Sequence, residues 1–242
     1  DIVSLGVTFA AAPASNGLST GRCLIIVTPD AQRTMNTFLG VSSELGPEDI
    51  DVSVIAADHT TYLEGYLWDR PRAKQAFINA AGIAHDAGRT VALSLSDPFC
   101  VDRHRADFLQ LVERHVDVLF ANEDEIVSLY QEHAFDAALQ RVRHHCPIAV
   151  LTRSEKGAVV VAGDAVHVID AEPVAHVVDT TGAGDAYAAG FLWALARGMR
   201  LETCARIAAV CAAEVISHVG ARPEISLAEL VRQKLPNWCG RS

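Results

Sequence analysis

The sequence predicts an α/β protein: a mostly parallel sheet covered by helices on both faces, with a small β appendage near its N-terminal end. Three observations carry this. From about residue 42 onward, short apolar runs alternate with longer helical patterns, as βαβ units require. Before that, residues 7–40 hold apolar runs and a turn but no helical pattern. The 242-residue chain is 50% apolar and 21% charged, enough to bury a large core without disulfide or metal staples.

The elements follow in order. The opening DIVSLG reads as the end of a helix stopped by Gly6, with a strand over 7–12. Residues 23–28 (CLIIVT) and 34–39 flank Pro29-Asp30-Ala31-Gln32, a turn-type connection, which predicts a hairpin. Further strands are expected at 61–63, 90–95, 118–121, 148–151 and 158–161, and His176-Val177-Val178 has a strand-like composition. Helices are expected between them at 72–87, 103–115, 123–130 and 135–144. The C-terminal part holds helices at 182–197 and 201–218 and a short one at 227–233.

Composition excludes several functions. Thirty acids against twenty bases give a net charge of −10, and no stretch concentrates Lys and Arg. A nucleic-acid footprint needs a clustered basic face, so a small-molecule partner is expected instead. No apolar run approaches the ~18–20 residues of a membrane-spanning helix. Cys23, Cys100, Cys146, Cys204, Cys211 and Cys239 form no CxxC pair and fit no zinc spacing. They read as reduced thiols of a cytoplasmic protein, with Cys204 and Cys211 on one helix face.

The feature that carries chemistry is DTTGAGDAYAAGFL, Asp179 to Leu192. Apolar residues cover most sides of the helix that it opens, so that helix is expected to be buried. Small residues at its start leave unpaired N–H groups open to an anion, and the helix dipole adds positive charge there. Asp185 follows this Gly182-Ala183-Gly184 cradle directly. A carboxylate in that place can take a proton from a hydroxyl while the cradle meets a phosphoryl group. A dinucleotide fingerprint is rejected because G-x-G-x-x-G fails at Tyr187, and no GxxxxGK[ST] loop is present.

These residues closely resemble the C-terminal signature of the PfkB/ribokinase family of carbohydrate and nucleoside kinases. Other segments agree in order. NEDE at Asn122–Glu125 resembles the family's N-x-x-E motif, and LTRSEKGA at 151–158 resembles its T-x-G-x-x-G turn, with Ser154 where the first Gly is usual. HVGARP at 218–223 resembles the loop beside the adenine and monovalent-cation sites. TGRCLIIVTPDAQRTMNTFLG at 20–40 resembles the lid hairpin of the adenosine-kinase-like branch, as do EGYLW and SDPFCVDRHR further on.

The resemblance implies a ribokinase-like three-layer α/β/α core with a small β lid. Residues 1–40 would be the remnant of an N-terminal region carrying the lid strands, and 41–242 the nucleotide-binding core. The implied reaction is ATP-dependent transfer of the γ-phosphoryl group to a primary hydroxyl of adenosine or a related nucleoside or sugar. Asp185 would be the base and Gly182, Ala183 and Gly184 the anion hole. Asn122, Thr152, Ser154, Gly157 and Gly220 would line ATP, and Glu125 would act on Mg2+ through water. Asp179 and Thr181 would help hold K+. Arg33 would reach the transferring phosphate, and Phe99 could stack on a base. The family usually begins with a further segment bearing a substrate-side Asp and a Gly-Gly stretch, which is not found here. Two other readings stay open: a free-sugar kinase, and a truncated, non-catalytic kinase-like protein. The lid could also pair two copies into a homodimer.

Overall fold

The structure, a computed structural model, describes residues 2–9, 11, 13–14 and 17–236. Strands β1 (Arg22–Val27) and β2 (Arg33–Phe38) form an antiparallel hairpin that is a sheet of its own. The second sheet contains β3 (Thr60–Glu64), β4 (Thr90–Ser94), β5 (Val118–Asn122), β6 (Ile148–Thr152), β7 (Ala158–Ala162) and β8 (Ala165–Ile169), in that spatial order. β3 to β6 run parallel, while β7 and β8 turn back antiparallel.

The helices are α1 (Val52–Ala57), α2 (Pro71–Asp86), α3 (Pro98–Arg103), α4 (Arg105–His115), α5 (Glu123–Tyr130) and α6 (Phe135–Val142), then α7 (Ala183–Leu195), α8 (Leu201–Val215) and α9 (Leu227–Lys234). Strand alternation assigns each residue to one layer or the other. Val91, Leu93, Leu119, Ala149, Leu151, Val159 and Val161 face α2, α4, α5 and α6. Ala92, Val118, Phe120, Val150, Ala158 and Val160 face α7 and α8. Both faces of the sheet are therefore buried, which is why its strands read as unbroken apolar runs.

Several expectations change. Residues 7–9 and 11 form no strand, and Ala10 and Ala12 lie outside the described residues. The opening turn Ile2–Leu5 is 3-10 helix and does end at Gly6, which has φ +85°. The helix expected at 103–115 breaks at His104 (φ −126°, ψ 28°), because the Asp97 side chain caps a separate helix from Pro98. Residues 176–178 join no sheet; Val178 N–H donates to the Ile216 carbonyl instead. β8 was not anticipated, although Gly163-Asp164 between two apolar runs is a hairpin signal. α1, six residues capped by Asp51, is too short to show helical periodicity. Cys100, Cys146, Cys204 and Cys211 are buried free thiols and Cys23 is an exposed one, while Cys239 lies outside the described residues.

Candidate functional site

Parallel strands deliver their C-terminal ends to one edge of the sheet, where ligands enter open α/β folds. Glu64 ends β3, Ser96 and Asp97 follow β4, Asn122 ends β5 and Thr152 ends β6. Asn122 and Thr152 are register partners, so the N-x-x-E and T-R-S-E-K-G segments are neighbours. An Arg153–Glu123 ion pair at 3.0 Å joins them again. The turn to β7 depends on Gly157 (φ +81°), where a Cβ would strike the Ile169 backbone. Ser154 adopts the left-handed backbone as well, with φ +51°. Ser154 thus holds a backbone conformation that glycine adopts more easily, at some cost in strain.

Asn122 and Glu125 cap α5 reciprocally. Asn122 Oδ1 accepts the Glu125 N–H at 2.8 Å, and Glu125 Oε2 accepts the Asn122 N–H at 2.8 Å. The Asn122 amide also donates to Glu125 Oε1 at 2.9 Å. Burial is the main cause that pushes the Glu125 carboxyl up to about 7, with the Asn122 hydrogen bond opposing it and the charges of Asp97, Glu64 and Asp124 adding to it.

α7 opens at Gly182, whose φ of +80° and ψ of 0° suit only glycine comfortably. The Ala186 N–H returns to the Gly182 carbonyl, while no hydrogen bond takes up the Gly184 or Asp185 N–H among the described residues. Gly184 is exposed, and a Cβ there would meet nothing within 4 Å. Asp185 is also exposed, and no hydrogen bond or ion pair engages its carboxylate among the described residues.

Two arms close on this helix start. On one side Asp179, 2% exposed, accepts the Thr181 N–H and the Gly220 N–H, each at 2.9 Å. Burial would raise its carboxyl, but these hydrogen bonds and the charge of Arg33 hold it below the ordinary range. Thr181 Oγ1 is buried and makes no hydrogen bond of good geometry, although its hydroxyl also helps lower the Asp179 carboxyl. On the other side the hairpin comes down, and Arg33 Nη1 donates to the Thr180 carbonyl at 3.0 Å and to Thr180 Oγ1 at 2.6 Å. Burial raises the Tyr66 hydroxyl above its ordinary range; the charges of Glu64, Glu125 and Asp97 add to this, and the charge of Arg33 opposes it.

Glu64 was given no role in the sequence, although a Glu closing a parallel strand is a readable signal. It accepts the Ser96 hydroxyl at 2.5 Å. Burial raises its carboxyl most, Ser96 and Tyr62 oppose this, and the charge of Asp185 adds to it. Phe99 lies in the first turn of α3 and is 72% exposed. Among the described residues no three His, Cys, Asp or Glu side chains converge as a metal cage. Among the described residues no helix is long and apolar enough to cross a membrane.

The pfkB family carbohydrate kinase model matches residues 2–227. The chain is 28% identical over 220 residues to an adenosine kinase of Saccharomyces cerevisiae, covering 85% of this chain and 63% of that one. It is 34% identical over 124 residues to a nucleoside kinase of Methanothermobacter thermautotrophicus, covering 39% of that protein. The adenosine kinase structure from Sinorhizobium meliloti is 47% identical with a TM-score of 0.93, covering 96% of this chain and 72% of that one. A probable sugar kinase from Rhizobium etli is 46% identical with a TM-score of 0.94, covering 97% and 71%. The chain thus spans less than two thirds of the length of these curated relatives. On its motifs, its fold and these matches, the chain belongs to the pfkB family of carbohydrate kinases and resembles that family's adenosine-kinase branch.

Proposed function

We propose that this chain carries the phosphoryl-transfer site of an ATP-dependent nucleoside kinase, with the 5′-hydroxyl of adenosine or a close analogue as acceptor. One observation carries the reading. Asp185, unpaired and exposed, sits in the first turn of α7 beside the unbonded N–H groups of Gly184 and Asp185. A base and an anion cradle on one helix start are what in-line transfer to a hydroxyl requires.

Asp185 takes the proton of the acceptor hydroxyl as its oxygen bonds to the γ-phosphorus. The bond between that phosphorus and the bridging oxygen breaks, and the electron pair leaves with ADP. The Gly184 and Asp185 N–H groups meet the charge spread over the transferring oxygens, while the Ala183 N–H is held by the Thr180 carbonyl, and Arg33 approaches from the hairpin side. Thr152, Ser154 and Gly157 border the nucleotide phosphates from the β6–β7 turn, with Asn122 beside them and Gly220 on the far side of Asp179. The oxygen donors near Glu125 suit a hard cation, and their mutual repulsion fits one arriving with the nucleotide rather than a fixed cage. Bound there, Mg2+ would neutralise phosphate charge. Asp179 and Thr181 fit K+, since Thr181 Oγ1 is buried and makes no hydrogen bond of good geometry. The hairpin serves as the lid of the core. The free thiols suit a reducing, cytoplasmic setting.

The test is Asp185→Asn assayed with ATP against adenosine, other nucleosides and free sugars. The kcat should fall by roughly 10²–10⁴, the usual share of general-base catalysis, with the melting temperature unchanged. Full turnover by this variant would remove Asp185 from the chemistry.

A further inference from the structure

We infer that Thr180 is a positioning residue for Arg33: its hydroxyl seats the hairpin turn over the anion cradle and holds one nitrogen of the guanidinium. This rests on the reading that Arg33 meets the transferring phosphoryl group.

The hairpin has little else to hold it. Every residue of β2 is exposed, as are all residues of β1 except half-buried Val27, and the two strands pair only with each other. A two-stranded hairpin is marginal by itself in water. Its turn is different. Ala31 is 4% exposed and stands in the left-handed region with φ +61°. That non-glycine strain is offset by where the turn docks, and the docking partner is Thr180.

A threonine hydroxyl has one proton to give and two lone pairs to accept with. Thr180 Oγ1 accepts from Arg33 Nη1 at 2.6 Å and donates to the Ala31 carbonyl at 3.4 Å, so one atom grips both the turn and the first residue of β2. The Thr180 carbonyl takes a second bond from Nη1 at 3.0 Å. Nε and Nη2 of Arg33 make no hydrogen bond among the described residues. The guanidinium is therefore fixed at one nitrogen and open at the other two. Planar recognition of phosphate oxygens uses two parallel N–H bonds. Thr180 lies two residues before Gly182, so one residue, through its hydroxyl and its carbonyl, ties the hairpin to the cradle.

The experiment compares Thr180→Val, Thr180→Ser, Arg33→Ala and the Thr180→Val/Arg33→Ala double variant. Hydrogen exchange of ligand-free protein reports seating directly. The turn N–H groups of Thr28 and Ala31, bonded to the Gln32 and Thr28 carbonyls, should exchange several-fold faster in Thr180→Val and at the parent rate in Thr180→Ser. In turnover, Thr180→Val should lose about tenfold in kcat with KM for ATP unchanged, as a misplaced group does, and Thr180→Ser should restore it. The double variant should be no slower than Arg33→Ala, because both changes remove one interaction. Parent-like exchange in Thr180→Val, or losses that multiply in the double variant, would overturn the inference. An Arg33→Ala variant with full turnover would instead remove the phosphate role of Arg33, and the exchange result would still decide the seating.

Discussion

Gly182 is packed against Ala221. A Cβ on Gly182 would lie 2.8 Å from the Ala221 Cβ and 2.9 Å from its carbonyl oxygen. The start of α7 and the loop after α8 thus touch through the one face of Gly182 that any other residue would fill. The same loop supplies the Gly220 N–H to Asp179.

Gly182→Ala should therefore be costly twice over. It places a side chain at φ +80° and forces the loop away from Asp179. Denaturant unfolding should show a loss of about 2 kcal/mol or more, from left-handed strain plus overlap. An unchanged unfolding midpoint would mean that the loop yields freely.

Gly184→Ala should separate stability from activity. The added methyl meets nothing in the fold, and alanine is favoured over glycine inside a helix by up to about 1 kcal/mol. Melting temperature should hold or rise. The methyl would stand over the open N–H groups, and kcat should fall on the order of 10²–10³, as when one anion-hole donor is lost. A stable variant with parent turnover would show that the cradle is not used.

Asn122→Ala should destabilise by about 1 kcal/mol, the usual worth of an N-cap. It also strips Glu125 of the Asn122 amide donor to Oε1. Thermal melts of the ligand-free protein measure this, and a shift within error would mean that water replaces the cap.

Glu64→Gln tests the buried carboxylate that ends β3. Burial raises its folded value above the ordinary 4.5, so its contribution to stability is present below that value. The contribution is lost as pH rises through the raised folded value. The glutamine keeps an oxygen for the Ser96 hydroxyl but carries no charge. It should melt like the parent at about pH 4 and progressively higher than the parent toward about pH 8. Parallel melting curves at all pH values would contradict this environment for Glu64.

Much of the molecule was legible before any coordinates. Buried strands announce themselves as apolar runs, and α2, α5 and α6 by periodicity, because local patterns follow from local geometry. β8 and α1 were too short or too exposed to stand out. The turn back at β7 leaves no mark on apolar content, but residues 153–157 are too few for a parallel crossover and so carry the signal.

The sequence by itself determined the α7 start: its small residues, its carboxylate and its place after Asp179 are contiguous. The Asn122–Glu125 cap is also local and could be read from spacing alone. Only the tertiary structure brought Arg33 to Thr180 across 147 residues, and Ser96 to Glu64. It also left Phe99 exposed, at a strand-to-helix junction where sequence suggested a stacking partner. The physical reason is that local backbone preference is written residue by residue, whereas which distant groups meet depends on strand order and on how loops pack.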